Sequence, residues 1–353
     1  MTLTNQLSTI LLRKKLAKAW EGKPFFIKKD SEESLAETML LASALQPTDS
    51  QVDGQTWHDL DLYRVFDQLN YTQSSIGAEA LYQKMRLIKF QPEASLQELE
   101  DFFDHHPDLR LKVQVVMNQL GKKNHNMARS IVANPGKQDS KIYLSLYIFL
   151  ACLPVFSLFF LPFFKIQAMM VLVASATFNI IFSSIRNWSN KMRLDRVSYL
   201  VRIFASTEKL SHLAIPKQEA LKQAVKPFKK TKVISGILQS PTGSSDMEII
   251  LIYLNFLFLI PQIAQVYIYQ QVRIHQKEAQ EAINLLGELE VAISLLRHKR
   301  DVELVCHPYF KKEGGIKGKG IYHPLLTDPV ANDVRFEKNM VISGVMPQGN
   351  LLI

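Results

Sequence analysis

Ser343 and Gly344 close a short apolar strand, Met340-Val341-Ile342, at the place where a strand would turn into a phosphate-binding loop. That loop, G-x-x-x-x-G-K-[ST], wraps backbone N–H groups around phosphate oxygens, adds a lysine charge and sets a hydroxyl on Mg²⁺. After Gly344 the chain reads Val345-Met346-Pro347-Gln348-Gly349-Asn350-Leu351-Leu352-Ile353, with no Lys, Ser or Thr. As written, this tail holds no nucleoside triphosphate, and no hydrolysis is expected of it. An mRNA for Val345 to Leu352, reread with each codon starting one nucleotide earlier, can encode S-N-A-S-G-K-S-T, with only the Ala codon forced. Behind Gly344 that completes the loop. The expectation is an out-of-frame phosphate-binding loop; the alternative is a natural C-terminus.

Two other groupings carry reactive side chains and little chemistry. Phe103-Asp104-His105-His106-Pro107-Asp108 has metal-ligand residue types, but neighbouring side chains on a helix point apart and Pro107 marks a turn, so a solvated loop is expected. Cys306-His307-Pro308-Tyr309 puts a thiol beside an imidazole, yet adjacent residues rarely form a nucleophile and base pair. No catalytic residue and no metal ligand is assigned.

The elements around these residues divide by charge. The chain has a net charge of +9 and a pI near 9.3, which suits a polyanion or an anionic membrane face. Two cysteines, Cys152 and Cys306, are too few for a disulfide framework and favour a reducing compartment. Ile142 to Phe164 carries no charge, nor does Ile166 to Ile185, and Lys165 alone separates them. Each stretch meets the ~20 apolar residues that cross a bilayer, and Pro154 and Pro162 are expected to kink the first. Lys137 and Lys141 before the pair, and Arg186, Lys191, Arg193, Arg196 and Arg202 after it, place both ends in the cytoplasm. Residues 186 to 232 hold twelve Lys and Arg against Asp195, Glu208 and Glu219. Anionic headgroups are their expected partner, with DNA phosphates as the rival.

Flanking segments read as helices. An N-terminal basic amphipathic segment carries Ile10, Leu11, Leu12, Leu16 and Trp20 among Arg13, Lys14, Lys15 and Lys18. Asp30 to Glu33 offers cap candidates for a helix through Leu45, and 46 to 55 reads as a polar linker. Thr72 to Gly77 can cap a helix from Ala78 to about Met85, with Gly77 allowing close approach to the preceding helix. Ile249 to Ile260 is apolar but interrupted by Asn255, Pro261, Gln262 and Gln265, so a buried or membrane-surface helix is expected there rather than a third crossing. Gln270 to Arg300 reads as one long helix with Ile274, Ala282, Leu285, Leu289, Ala292, Ile293 and Leu296 on a stripe.

Several of these stretches, in order, resemble the MutS family of mismatch-repair ATPases. Leu69-Asn70-Tyr71-Thr72, then Ser75-Ile76-Gly77 and Leu81 to Arg86, looks like the start of that family's core domain, and 96 to 120 is similar to its next core helices. Leu286-Gly287-Glu288-Leu289-Glu290-Val291-Ala292-Ile293-Ser294 resembles the return of the second lever to the core. His323-Pro324-Leu325 and Asn332-Asp333 look like the H-P-L and N-D signatures ahead of the phosphate loop, which implies that His323, Asn332, Ser343 and Gly344 belong to the nucleotide site. No mismatch-reading or connector domain is found, and a membrane hairpin in the lever region resembles a membrane-associated branch of the superfamily.

The resulting expectation is a mainly α protein: a core and lever helical domain with an inserted transmembrane hairpin and the short, β-containing start of a P-loop ATPase domain. Its parts are an N-terminal helical segment (1–56), core helices (57–136), the hairpin (137–186), a basic segment with lever and core-return helices (187–300) and the truncated ATPase start (301–353). The resemblance implies ATP, Mg²⁺, DNA binding and a homodimer for a form with a completed loop, while the hairpin and its positive flanks predict a cell-membrane protein with the bulk of the chain on the cytoplasmic side. The rival expectation is a non-enzymatic membrane scaffold.

Overall fold

The two charge-free stretches become long helices that pack against each other. The computed structural model describes residues 3–22, 28–45, 48–90, 93–135, 141–231, 246–302, 305–306, 308–309 and 315–336, the side chains at 3–6, 43–45, 141, 187–194 and 246–248 excepted. The architecture is mainly helical. In chain order the helices are α1 (Leu3–Trp20), α2 (Glu32–Leu45), α3 (Gly54–Asp59), α4 (Leu62–Leu69), α5 (Ser75–Arg86), α6 (Ala94–His105), α7 (Pro107–Leu120), α8 (Ala128–Ala133), α9 (Lys141–Phe160), α10 (Lys165–Ser211) and α11 (Gln218–Val225). They continue as α12 (Asp246–Leu257), α13 (Ile260–Ile274) and α14 (Gln276–Asp301). Two antiparallel pairs complete the fold: β1 (Ser50–Gln51) with β2 (Leu87–Ile88), and β3 (Ile316–Ile321) with β4 (Asn332–Phe336).

Residues 142–160 of α9 and 165–186 of α10 are each long and apolar enough to cross a membrane, with mean hydropathies of 2.2 and 1.9. Most of their side chains face outward, Ile142, Phe159 and Ile166 among them, as expected of helices solvated by hydrocarbon. Pro154 lies inside α9, whereas Pro162 lies in the turn between the helices rather than kinking a span. Beyond Arg186 the same helix changes solvent. α10 runs on without a break to Ser211, 47 residues in all, or about 70 Å at 1.5 Å per residue. Its last part buries Val197, Leu200, Val201, Phe204 and Leu210, apolar residues at helical spacing, in the main core.

That core is centred on α14, which packs against α5, α6, α8 and α11. Ile283, Leu286, Leu289, Ala292 and Ile293 are buried there as the apolar stripe requires. The stripe is not one helix, however: His275 leaves helical geometry (φ −118°, ψ 46°) and separates α13 from α14. The metal-like His-Asp stretch also differs from the expected loop. α6 ends at His105 and α7 starts at Pro107, whose missing N–H suits a first helical position, and both imidazoles bond carbonyls four residues back.

The approach of α5 to α14 depends on two glycines, one on each helix. A Cβ at Gly287 would lie 2.6 Å from the Ala80 Cβ, and one at Gly77 would lie 2.7 Å from the Glu290 Cβ and overlap its carboxylate. Gly77 therefore makes room for α14, from the far end of the chain, and not for the preceding helix. Gly77→Ala and Gly287→Ala should each lower stability by about 1–3 kcal/mol through overpacking. Unfolding of the detergent-solubilised protein measures this, and wild-type stability of both variants would contradict the packing described.

Candidate functional site

Of the residues expected at the nucleotide site, His323 and Asn332 lie on an exposed hairpin. β3 and β4 pair with each other, with a register irregularity between Gly318 and Ile321. His323 Nδ1 accepts from the Leu325 N–H at 3.2 Å, and Asn332 Nδ2 donates to the Val330 carbonyl at 3.0 Å. Both side chains thus satisfy their own turns, and no hydrogen bond joins them. Ser343 and Gly344 lie outside the described residues. Among the described residues, no three of His, Cys, Asp or Glu come together to hold a metal ion.

The dense polar chemistry lies instead where α5 meets α14. Ser74 is the N-cap of α5, its hydroxyl accepting from the Gly77 N–H at 3.2 Å. This leaves the N–H groups of Gln73 and Ser74 to be satisfied, and the Glu290 carboxylate does so: Oε1 accepts from Gln73 at 2.6 Å, and both oxygens accept from the Ser74 N–H at 3.2 Å. The Ser74 hydroxyl donates to Glu290 Oε2 as well. A carboxylate at a helix N-terminus also complements the helix dipole. Ser294, one turn further along α14, donates to the Leu69 carbonyl at 2.7 Å and accepts from the Tyr71 N–H at 2.8 Å.

Two buried ion pairs extend this joint. Lys122 Nζ lies 3.2 Å from Asp30 Oδ2 and donates to Thr72 Oγ1 at 2.8 Å. Asp30, a cap candidate for α2 by sequence, accepts from the Ser75 hydroxyl at 2.5 Å instead, and the Ser31 hydroxyl accepts from the Ser34 N–H at 3.4 Å in the first turn of α2. Arg129 Nε lies 3.2 Å from Glu79 Oε2, Asn126 donates to Glu79 Oε1 at 2.6 Å, and Arg129 reaches Asn284 on α14 at 3.0 Å. Burial pushes the Glu290 and Glu79 carboxyls up, against the pull of Ser74 and Lys122 on the first and of Arg129 on the second. Burial also pulls Lys122 down, opposed by Asp30. Such pairs contribute little net stability when whole and cost several kcal/mol when one partner is removed.

Part of the basic segment is occupied by contacts within the protein. Arg202 donates to the Gln119 carbonyl at 2.7 Å and to that of Leu120, closing the C-terminus of α7, and Lys209 donates to the Gln119 side chain at 3.1 Å. Lys217 pairs with Glu288 at 2.5 Å and Lys222 with Glu219 at 2.6 Å. A cleft of about 220 Å³ borders the joint, but its Lys84 and Lys89 both pair with Glu93 and its Arg129 with Glu79. What the arrangement does is register α5, α7 and α14 against one another.

Compared with known proteins, the chain matches no family model, no curated protein and no solved structure. Sequence reasoning misses Glu290, Lys122, Glu79 and Arg129 as a set. The available signal is the pair Gly77 and Gly287, since glycine inside a helix costs about 1 kcal/mol relative to alanine and marks a close approach.

Glu290→Ala should cost about 3–5 kcal/mol, because the buried Gln73 and Ser74 donors lose their acceptor and Lys122, which keeps Asp30, loses the second carboxylate near it. Glu290→Gln keeps one acceptor and should cost less; equal stability of all three proteins in chemical denaturation would refute the joint. A pH effect comes from Tyr71, whose phenol burial and then its 2.8 Å bond to Asp301 push up to about 12 from an ordinary 10.0. A raised pKa stabilises fully below the unfolded value and is lost as pH rises through the folded one. The stability advantage of wild type over Tyr71→Phe should therefore be constant below pH 10 and shrink towards pH 12, as followed by thermal unfolding across that range.

Proposed function

We propose that this chain is the membrane-anchored core and lever part of a MutS-like, ATP-dependent DNA-binding machine. The observation that carries the reading is the joint between α5 and α14. The two stretches that bear the resemblance, 69–86 and 286–294, lie far apart in the chain and are joined through Ser74, Glu290 and Ser294. A core helix meeting a returning lever at a fixed register is what the resemblance implies for that place. Movement at a nucleotide site would reach the membrane through α14, α13 and the long α10. In this reading ATP and Mg²⁺ bind a form whose loop reads G-K-S-T after Gly344, with the homodimer completing the site.

A second reading, a non-enzymatic membrane scaffold, is favoured by one observation: α10 ties the apolar hairpin to the helical core without any break. Anionic headgroups are the proposed partner of the basic residues near Arg186 in either case. Sequencing the gene and transcript from codon 330 to well past codon 353 separates the two. A shifted frame reading G-K-S-T followed by a long open frame is the expected result; absence of that frame would overturn the ATPase reading in favour of the scaffold.

A further inference from the structure

Two prolines leave two backbone carbonyls without donors in the apolar helices, and a single side chain answers both. Pro154 lies inside α9 and has no N–H, so the carbonyl four residues back, on Leu150, loses its helical partner. α12 ends at Leu257, whose carbonyl would look to residue 261, and that residue is Pro261. In hydrocarbon no water can take either place. Asn179 of α10 is fully buried, and its amide nitrogen donates to the Leu150 carbonyl at 2.8 Å and to the Leu257 carbonyl at 3.0 Å. A primary amide has two hydrogens to give, and both are used.

The position of this contact fixes a depth. Asn179 precedes Arg186 by seven residues and Leu150 follows Lys141 by nine, which puts both about 10–14 Å beyond the charged ends of the hairpin at 1.5 Å per residue. Leu257 must be at that depth too. A helix lying at the membrane surface, one of the two placements its interrupted sequence suggests, could not bring its last carbonyl there. One turn along α10, buried Ser183 and Gln262 of α13 bond each other at 3.1 Å, and Tyr147, Leu259 and Val266 pack together with Leu150, Phe182 and Ile263 around the contact. Leu259 takes the left-handed conformation (φ 52°) and the α12–α13 pair bends by 64° there. The outer side of α12 presents Ile250, Leu251 and Tyr253, while Ile268 and Val272 at the other end of α13 enter the main core.

We infer that α12 and α13 form a third membrane-embedded element, broken at residues 258–259, whose outer face meets lipid hydrocarbon and whose latch onto the hairpin is Asn179. The inference stands apart from the ATPase reading, since it uses only the apolar helices. It makes the break a joint between membrane and core: α13 leaves the latch and leads through His275 directly into α14.

The test uses the full chain. In detergent, Asn179→Val should lower the melting temperature by about 3–6 °C, and Asn179→Asp, which keeps the shape but has no N–H to donate, by at least as much. Pro154→Ala restores the donor for the Leu150 carbonyl, so in that background the Asn179→Val shift should fall to about half, the Leu257 carbonyl being still orphaned. An unchanged melting temperature for Asn179→Val, or the same shift in both backgrounds, would overturn the latch. Placement is read separately in lipid nanodiscs, where both faces meet water, with cysteines introduced by Leu251→Cys or, as an exposed control, Leu60→Cys in a Cys152→Ser, Cys306→Ser chain. A water-soluble maleimide should label the Leu251→Cys protein at least ~10-fold more slowly than the control, because the thiol lies in hydrocarbon. Labelling of both at one rate would overturn the membrane placement and assign α12 to the water-exposed part of the protein.

Discussion

One helix has to satisfy two solvents, and the rest of the structure is arranged around that requirement. The first 22 residues of α10 present apolar side chains outward on nearly every side, as hydrocarbon allows. Its last four turns bury an apolar stripe against α7, α11 and α14, as water demands. Because the helix does not break between the two regimes, whatever orients the core also orients the hairpin. Basic residues around the transition also make contacts within the protein: Lys123 donates to the Asp195 carbonyl, inside α10, at 2.7 Å, and Arg202 closes α7. Positive charge at that level therefore does structural service on the protein side as well as suiting an anionic headgroup layer.

The core end of this lever is registered by charge rather than by apolar packing alone. Glu290, Lys122, Asp30, Glu79 and Arg129 are all buried at the junction of α5, α7, α8 and α14. Apolar contacts tolerate sliding by fractions of a turn, whereas a carboxylate that accepts from two consecutive N–H groups has one position. The membrane end uses the same device with a neutral group, an amide bonded to two carbonyls whose i+4 residues are prolines. Between these two polar fixtures lie the Ser183–Gln262 bond and the contacts of Lys123 and Arg202, and together they set the register of the bundle.

How much of this the sequence displays follows from range. The hairpin is legible because two uncharged stretches around one lysine leave no wet face, and the mainly helical class follows from apolar spacing. The Ser74 cap is legible because it is local, though the helix begins at Ser75 rather than Ala78. Glu290 is not, because on its own helix it looks like one more surface charge between stripe residues, while its partner Ser74 is 216 positions away. Asn179 looks like an isolated polar residue in an apolar run until Pro154 and Pro261 are each counted back by four. Pro162 and His275 escape a sequence reading for a simpler reason, since a turn and a mid-helix break have the same local composition as the helices around them. Of the four residues of the nucleotide-site expectation, His323 and Asn332 each close their own turn, and Ser343 and Gly344 lie outside the described residues.

Control of the hairpin by the core requires that α10 be continuous from one to the other. Spin labels at residue 178, within the apolar part, and at residue 212, the C-cap, sit at exposed positions on either side of the transition. Pulsed electron resonance on the protein in nanodiscs should give one narrow distance distribution near ~50 Å, the span of an unbroken α-helix between those positions. A broad distribution, or a mean well below that length, would mean that the helix breaks at the membrane edge and that core and hairpin move independently.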